Sequence, residues 1–421
     1  MTSSPRLLLA IATTICAYAC GSSNAELGPP PSSNGGDAGP PNDAMSPSPG
    51  DAGLTDAGGD ASAGASNSQS IAIGFSHVCA MTAAGGVKCW GSNGYGQLGN
   101  STLADSRTPV DVTGLSSGVT SIAAGAWHTC ARLANGAAKC WGFNRDGQLG
   151  TGNADDSLVP IDVAGLSSGV LAVSSDVYQS CALMMTGAVK CWGDNSHGEL
   201  GNGGSKRSFV PVDVSGLSSA SSISSGGGHT CVTMASGAVK CWGYNYFGKL
   251  GIGSTVDSPV PVTVSGLSSA ATEVSAGYNH TCARLITGTL ECWGHNLYGQ
   301  LGNNATTNST TPVDVVGISS VTSVSAGAWS TCARMNSGSI KCWGENTRGQ
   351  LGDGSSSDSS LLPREPSGLS AGAGAIVTQN DTTCARTLAG GIKCWGQNDY
   401  GQLGGTGIAD SRVPVDIVGF P

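Results

Sequence analysis

The chain has 421 residues, of which 66 are glycine and only 11% are charged, and its net charge is −9 at pH 7. So few charged residues argue against a coiled coil or a helical array, and 39% apolar residues with 16 cysteines argue against a fully disordered chain. The acidic balance also argues against nucleic-acid binding, which needs clustered Lys and Arg. Sixteen cysteines favour an oxidising compartment. A turn-rich, all-β, exported protein remains.

Residues 1–19 are typical of a signal peptide. Arg6 precedes an apolar run that is too short to span a bilayer. Cys20 follows directly after Ala17-Tyr18-Ala19, and a cysteine at that point resembles the lipidation site of bacterial lipoproteins. We therefore predict an exported protein of the bacterial cell envelope that is lipid-anchored through Cys20. Plain secretion is the alternative.

Residues 20–69 predict a disordered tether. After Cys20 this segment has no Lys, Arg or aromatic residue and consists mainly of Gly, Pro, Ser, Ala, Asn and Asp. Such a composition cannot bury a core, and its random-coil reach is roughly 35–40 Å. With a lipid on Cys20 the segment would hold the rest of the chain at a membrane, which is the only membrane contact that we expect.

From residue 70 onward the sequence repeats. Cysteine pairs ten residues apart recur seven times, and short runs of alternating polarity, separated by Gly, Asn and Pro, predict four strands per unit, here named A to D. The units are 70–120, 121–171, 172–221, 222–272, 273–322, 323–374 and 375–421. Seven units of four strands predict an all-β, seven-bladed β-propeller over 70–421. The sequence leaves open whether the last D strand completes the first blade.

A ten-residue motif, Trp-Gly-x-Asn-x-x-Gly-Gln-Leu-Gly, begins at the end of strand C, as in Trp141–Gly150. Two units depart from it only at the Gln, with Glu199 and Lys249. This repeat resembles that of the regulator of chromosome condensation family. The resemblance implies a seven-bladed propeller, with guanine-nucleotide exchange on a Ran-type GTPase or chromatin binding as the family's known roles.

Three further departures concern single strands. Asp176 and Gln379 stand where the other units have a glycine that closes strand A. In unit six the segment Arg364-Glu365-Pro366 replaces the usual end of strand D. We therefore expect a weak or irregular fourth strand in that blade.

Each cysteine pair brackets a glycine that follows the first cysteine by six residues, such as Gly136 between Cys130 and Cys140. A three-residue hairpin loop takes a left-handed Gly as its third member, and that register places the two cysteines opposite each other. We predict one hairpin disulfide per blade: Cys79–Cys89, Cys130–Cys140, Cys181–Cys191, Cys231–Cys241, Cys282–Cys292, Cys332–Cys342 and Cys384–Cys394. Metal ligation or redox catalysis by these thiols is the alternative, but no Cys-x-x-Cys occurs.

No set of residues assembles into a catalytic site. The Gly-x-Ser-x-Gly pattern at 114–118 lies in the connector between units, and the Asp-bearing loops fit ordinary turns better than calcium sites. Four histidines stand two residues before a cysteine: His77, His128, His229 and His280. A metal site is one interpretation, and a bond from each imidazole to the backbone of its own blade is the favoured one. We predict no enzyme activity, no cofactor and no metal.

Aromatic residues outside the motif concentrate in the A–B loops and just after strand C, and these loops share one side of the disc. We call this side the loop face, and its predicted binding residues are Phe75, Trp127, Phe143, Tyr178, Tyr244, Tyr246, Tyr278 and Trp329. Aromatic side chains on one rigid face are typical of a binding surface. The alternative is that they fill the top of the central channel. Tyr95, Phe247, Tyr298 and Tyr400 occupy the family's scaffold position and are set aside.

The leading hypothesis is a monomeric, non-enzymatic envelope scaffold that binds an unidentified protein through the loop face. Members of the family that it resembles bind proteins with loops of the same propeller. A lectin-like propeller that binds carbohydrate or cell wall is the second hypothesis, because aromatic rings also stack on sugars. Nucleotide exchange is the third, and export, disulfides and acidity oppose it, as they do nucleic-acid binding.

Overall fold

The computed structural model describes residues 70–369, 372–405, 407 and 409–420. In these ranges the strands form seven four-stranded antiparallel sheets, which are the blades of the predicted seven-bladed propeller. No helix in the described part has the length and apolar character needed to cross a bilayer. The predicted signal peptide 1–19, the lipidation site Cys20 and the tether 20–69 lie outside the described residues.

The first four blades follow the chain in order, with strands A to D in each. Blade 1 has β1 (Ile71–Ile73), β2 (His77–Met81), β3 (Val87–Gly91) and β4 (Ser106–Asp111). Blade 2 has β5 (Val119–Ala124), β6 (His128–Leu133), β7 (Ala138–Gly142) and β8 (Ser157–Asp162). Blade 3 has β9 (Val170–Ser175), β10 (Gln179–Met184), β11 (Val189–Gly193) and β12 (Ser208–Asp213). Blade 4 has β13 (Ala220–Gly226), β14 (His229–Met234), β15 (Val239–Gly243) and β16 (Ser258–Thr263).

The last three blades keep the same plan. Blade 5 has β17 (Ala271–Ala276), β18 (His280–Leu285), β19 (Leu290–Gly294) and β20 (Ser309–Asp314). Blade 6 has β21 (Val321–Ala326), β22 (Ser330–Met335), β23 (Ile340–Glu345) and β24 (Ser359–Arg364). Blade 7 has β25 (Ala373–Gln379), β26 (Thr382–Thr387), β27 (Ile392–Gly396) and β28 (Ser411–Asp416).

The ring closes by packing, without exchange of a strand. β1 pairs with β2 of its own blade, and β28 pairs with β27. Across the seam, Trp90 Nε1 donates to the carbonyl of Gln402 at 2.8 Å. Ile73 of blade 1 and Ile417 of blade 7 belong to one buried cluster. Each blade is therefore a contiguous segment of sequence, which answers the question that the sequence left open.

The hairpin between strands B and C has the predicted geometry. In blade 2 the Leu133 amide donates to the Ala137 carbonyl at 2.9 Å, and Gly136 has φ +79°, a left-handed conformation that favours glycine. Cys130 then lies directly opposite Cys140. In all seven blades the two cysteines form a disulfide with a Cα–Cα distance of 4.0–4.1 Å. The prediction of one hairpin disulfide per blade is confirmed.

The hydrophobic core lies between adjacent blades and is repeated around the ring. One cluster joins Cys79, Cys89 and Leu98 of blade 1 to Ile122 and Trp141 of blade 2. The motif tryptophan is fully buried in every blade: Trp90, Trp141, Trp192, Trp242, Trp293, Trp343 and Trp395. Each packs against the preceding blade, so the tryptophans are the main apolar contacts that hold neighbouring blades together.

The four buried histidines correct one expectation. His77 Nε2 lies 2.9 Å from the hydroxyl of Thr129, which belongs to the next blade rather than to its own. Because that hydroxyl donates to the Gln97 carbonyl at 3.1 Å, the imidazole must donate to the hydroxyl. The Trp141 indole donates to the same carbonyl at 2.9 Å. The histidine, the hydroxyl and the tryptophan thus form a latch between blades, which His128, His229 and His280 repeat.

The fourth strand of blade 6 forms with the usual six residues, so the expected weak or irregular strand is not seen, but its pairing is displaced by one position along the strand. Arg364 lies opposite Cys342, and pairing ends there. In blade 3 the amide that follows strand D, that of Val214, donates to the Val189 carbonyl at 2.9 Å. Pro366 occupies the matching position in blade 6 and has no amide hydrogen to donate.

Candidate functional site

The loop face is formed by the A–B loops and the loops after strand C. Successive strands of a blade run in opposite directions, so these two sets of loops lie on the same side of the disc. Tyr246 is 63% exposed and Tyr178 is 39% exposed, whereas the other six predicted residues are half-buried. The rings thus present part of their surface to solvent.

The predicted aromatic residues of blades 1 to 3 touch one another around Trp127. Its ring centroid lies 5.8 Å from that of Phe75, 5.9 Å from Phe143 and 5.6 Å from Tyr178. The Phe143 ring also lies 4.9 Å from that of Tyr95, a residue that the sequence analysis set aside. These contacts form one arc of the loop face.

A second arc runs through blades 4 to 6. It consists, in order of contact, of Tyr244, Tyr246, Phe247, His295, Trp329 and Tyr278. The Tyr244 and Tyr246 rings are nearly parallel, at 9° with centroids 6.2 Å apart. His295 and Phe247, 4.5 Å apart, join these tyrosines to Trp329.

The two arcs meet over the central channel. The rings of Phe75 and Tyr278 lie 5.9 Å apart although they belong to blades 1 and 5, which are not neighbours in the ring. Two of the eight rings therefore close the channel mouth, as the alternative interpretation held. All eight predicted residues belong to one connected cluster of aromatic side chains.

Beneath this cluster lie three buried charged residues: Asp176, Glu199 and Lys249. Asp176 Oδ2 accepts a hydrogen bond from the Gly228 amide at 2.6 Å. Lys249 Nζ donates to the carbonyl of Gly227 and, at 3.1 Å, to that of Tyr278. Together, Asp176 and Lys249 clamp the A–B loop of blade 4.

Burial dominates the electrostatics of this clamp. It raises the pKa of Asp176 to about 7 against the lowering effects of the Gly228 amide and of Lys249. It lowers the pKa of Lys249 to about 8, although the carboxylate of Asp176 opposes that change. Burial also raises the pKa of Glu199. The clamp therefore contains ionisable groups whose charged forms are poorly solvated.

The central channel holds a cavity of about 660 Å³ that is lined by the A strands of all seven blades. On one side the hydroxyls of Ser174, Ser224, Ser275 and Ser325 accept hydrogen bonds from amides of the following blade. Ala72, Ala123 and Val377 occupy the equivalent positions of the other blades. Within the described ranges no group of three His, Cys, Asp or Glu residues is placed to hold a metal ion.

Comparison with known families decides the family. The profile described as the regulator of chromosome condensation (RCC1) repeat matches residues 84–132, 135–183, 186–233, 236–284 and 288–334. The chain belongs to this repeat family. A second profile with the same description matches 69–97, 119–148, 220–249, 271–300 and 321–350.

Curated relatives share part of this repeat array. The chain is 32% identical over 247 residues to the ultraviolet-B receptor UVR8 of Arabidopsis thaliana. The matched region covers 58% of this chain and 45% of UVR8. It is 31% identical over 257 residues to the mitochondrial RCC1 domain-containing protein RUG3 of the same plant. That match covers 59% of this chain and 47% of RUG3. The chain thus spans about half the length of these relatives.

Solved structures agree on the fold. Yeast RCC1 (Prp20) bound to Kap60 superposes with a TM-score of 0.71 at 20% identity, covering 83% of this chain and 85% of that one. Human WBSCR16 gives a TM-score of 0.70 at 22% identity, covering 78% and 92%. At such identities the likeness is one of fold alone.

Two histidines that contact the aromatic cluster, His197 and His295, were not predicted from the sequence. They occupy positions of the RCC1 repeat where other units have aromatic residues. His197 stands where unit one has Tyr95, and His295 stands where units two and four have Phe143 and Tyr244. Both imidazoles contact rings of the cluster: His197 lies 4.4 Å from Tyr244 between centroids. Counting histidine among the aromatic rings would have found them.

The clamp arises at the RCC1-repeat positions where this chain departs from its own consensus. In five units the Gln side chain accepts the amide two residues earlier, as Gln97 Oε1 accepts from Tyr95 at 2.9 Å, and Glu199 keeps that bond with the His197 amide. Lys249 has no acceptor atom and reaches the neighbouring A–B loops instead. The sequence showed these substitutions singly, but only the fold brings them together.

Proposed function

We propose that the protein is a non-enzymatic scaffold of the cell envelope that binds a partner protein through the loop face. The observation that carries this proposal is the single connected cluster of half-exposed rings, which joins blades 1 to 6. Tyr and Trp on a rigid surface supply large contact area at little cost in conformational entropy, and interfaces are enriched in them.

The family supports this mode of action. RCC1-like propellers generally serve as regulators or binding scaffolds. Yeast RCC1 (Prp20) was solved bound to Kap60, and Prp20p has been described with its binding to Gsp1p and histones. A partner for this chain does not follow from those proteins, because identity to them is about 20%.

Two observations support an exported location. Residues 1–19 have the composition of a signal peptide followed by Cys20. Seven disulfides would be unusual in a reducing cytosol and are common in exported proteins. Export and the net charge of −9 also oppose nucleotide exchange on a GTPase and binding to nucleic acid.

A capture experiment tests the proposal. The full-length protein, carrying a photocrosslinker, is incubated with native envelope fractions of the source cell, beside the double variant Trp127→Ala/Trp329→Ala. Loss of both tryptophans should reduce capture of the specific partner at least tenfold, because central aromatic residues dominate interface energies. Tyr400→Ala is the matched control, since Tyr400 is 45% exposed on the same type of loop but contacts no ring of the cluster. Undiminished capture by the double variant would refute the loop-face assignment.

A carbohydrate ligand is the second candidate, and the tyrosine pair of blade 4 favours it. Tyr244 and Tyr246 are nearly parallel, and Tyr246 is the most exposed ring of the predicted set. Protein-free peptidoglycan distinguishes the candidates. Retention of the propeller on that material, lost on Tyr246→Ala, would favour the lectin-like reading over a protein partner.

A further inference from the structure

The side of the disc opposite the loop face consists of the B–C hairpin turns and of the connectors that lead from each strand D to the next strand A. We call this side the connector face. The Ile286 amide of one turn donates to the carbonyl of Ala270 in a connector at 2.8 Å, and the Leu388 amide donates to that of Gly372 at 2.7 Å. Turns and connectors therefore form one surface. Its residues are 82–86, 133–137, 184–188, 234–238, 285–289, 335–339 and 387–391 in the turns, and 112–118, 163–169, 214–219, 264–270, 315–320, 366–369 and 372 in the connectors.

The connector face carries no charge. None of the residues of these turns and connectors is Asp, Glu, Lys or Arg. The loops of the loop face, in contrast, carry charged residues such as Arg145, Asp146 and Asp194. Because charged side chains are the class most often exposed to water, their absence from one whole side indicates that this side meets something other than water.

Three large apolar side chains project from the connector face. Met185, Ile286 and Leu388 occupy the same turn position of blades 3, 5 and 7, and each is 70% exposed. Blades 4 and 6 between them carry the smaller or polar Ala235 and Asn336 at that position. A protein interface usually gathers its anchor residues at one centre, whereas apolar side chains that stand apart on a flat face suit entry into a lipid surface.

The chain also enters the propeller at this face. Strand β1 begins at Ile71, which lies opposite Ala80 near the hairpin end of β2. Residue 70 is therefore on the connector side, and the segment that contains Cys20 joins the propeller there. A lipid on Cys20 would draw the connector face, and not the loop face, towards a bilayer.

The channel side of the connector face is cationic. In four blades an arginine lies at the end of strand B, close to the hairpin turn. Glu273 pairs with one of them, Arg284, at 3.2 Å. The other three donate to backbone carbonyls of the following blade, which leaves their charge uncompensated: Arg132, Arg334 and Arg386. Guanidinium groups suit the phosphates of lipid headgroups.

We propose that the connector face docks on the surface of a lipid bilayer. Met185, Ile286 and Leu388 enter the outer part of the acyl chains, and the arginines lie near the phosphates. This contact is additional to the lipid expected on Cys20. It rests on the envelope location in the proposed function but does not depend on the loop face, which it turns away from the membrane and towards a partner.

The test measures which side of the disc touches lipid. Ile286→Trp places an indole on the connector face, and the matched control Leu297→Trp places one on the loop face, where Leu297 is 60% exposed. Each full-length variant is mixed with vesicles of equal amounts of phosphatidylethanolamine and phosphatidylglycerol, with plain or brominated acyl chains, and wild-type fluorescence is subtracted. Bromine quenches an indole only at close contact. The added emission of I286W should fall roughly twofold or more in brominated vesicles, and that of L297W should not change.

Charges at the other two turns should release the face. Met185→Asp/Leu388→Asp, added to I286W, should remove most of the quenching, because a carboxylate is costly to bury in hydrocarbon. The control pair Leu103→Asp/Val256→Asp, at exposed apolar residues of the loops after strand C, should leave the quenching unchanged.

Three results would overturn the proposal. They are an unquenched I286W, equal quenching of I286W and L297W, and quenching that persists in the M185D/L388D background. A wild-type dimer in sedimentation without vesicles, dissociated by M185D/L388D, would also overturn it in favour of a second copy of this chain on the connector face. Intact quenching in a protein whose Trp127/Trp329 variant captures partner undiminished would refute the loop-face assignment alone and support the membrane contact.

Discussion

The B–C hairpins and the loop face belong to the same seven blades, yet they differ in how strictly they repeat. Every hairpin has its disulfide at the same Cα–Cα distance of 4.0–4.1 Å, and every motif tryptophan is fully buried. The A–B loops, which begin one strand earlier, vary from Trp127 to three glycines to Asp381. Repetition is strict in the packed core between blades and weakens in the partly exposed loops.

This difference has a physical cause. A residue between blades meets the same neighbour in each unit, so one solution serves all seven positions. A loop residue is only partly buried and meets a different set of neighbours in each unit, so no single residue type serves all seven positions. Departures inside the repeated frame, such as Lys249 for Gln, are therefore the residues that distinguish this loop face from the consensus of the repeat.

Two tryptophans give the largest expected contrast. Trp192→Ala removes a fully buried inter-blade ring and its bond to the Gln148 carbonyl, and should lower the free energy of unfolding by about 3–5 kcal/mol. Trp329→Ala truncates a half-exposed ring of the loop face and should cost less than half as much. Chemical denaturation of both variants measures the difference. Equal losses would mean that the loop-face cluster is part of the stabilising core.

Removal of one disulfide should have the next largest effect. The double variant Cys130→Ala/Cys140→Ala opens a short loop and should cost about 2–3 kcal/mol in the chain-entropy model. Because the hairpins repeat, Cys231→Ala/Cys241→Ala in blade 4 should cost nearly the same.

The comparison of those two blades is its own control. A difference larger than about 1 kcal/mol would show that the blades are not energetically equivalent despite their common geometry.

The intact mass of the wild type should rise on reduction by the fourteen hydrogens of seven bridges. A smaller gain would contradict full pairing.

Repetition explains how much of the fold could be predicted. The strand pattern and the glycine between Cys130 and Cys140 predicted blade number and disulfide pairing, because local turn chemistry sets the register. The partner of His77 was predicted wrongly, since Thr129 lies 52 residues away in the chain and becomes a neighbour only when blades stack. Ring closure was open for the same reason.

The candidate site was harder to predict than the frame. The eight rings were identified from loop position alone, but their joining into one cluster depends on contacts between blades. Phe75 and Tyr278 are four blades apart in sequence and meet over the channel. The clamp of Asp176 and Lys249 likewise combines residues of different blades, which no local pattern reveals.

The smallest expected effect at neutral pH is that of His128→Gln. In blade 3 Gln179 already makes the latch, donating to the Thr230 hydroxyl at 2.9 Å, so H128Q should change the free energy of unfolding at pH 7 by less than about 0.5 kcal/mol. At acid pH the free energies of unfolding of the wild type and H128Q should differ. Burial lowers the pKa of His128 to about 3, below its ordinary value of 6.5, so the unfolded chain binds the proton more readily.

The stability that neutral His128 contributes is therefore complete above pH 6.5 and is lost as the pH falls from 6.5 towards 3. Gln does not titrate, so H128Q should become the more stable protein near pH 4, by about 3 kcal/mol. Denaturant curves at pH 7 and pH 4 measure this crossing, and the converse variant Gln179→His should steepen the loss in acid. Asp176 should have the opposite effect on the pH dependence of stability. Its folded pKa of about 7 exceeds the ordinary 3.8, so its contribution to the free energy of unfolding should become less unfavourable as the pH falls through 7. If the free energies of unfolding of the wild type and H128Q fell equally between pH 7 and pH 4, His128 would accept its proton in the folded latch. The imidazole would then be no more desolvated than a residue of the loop face.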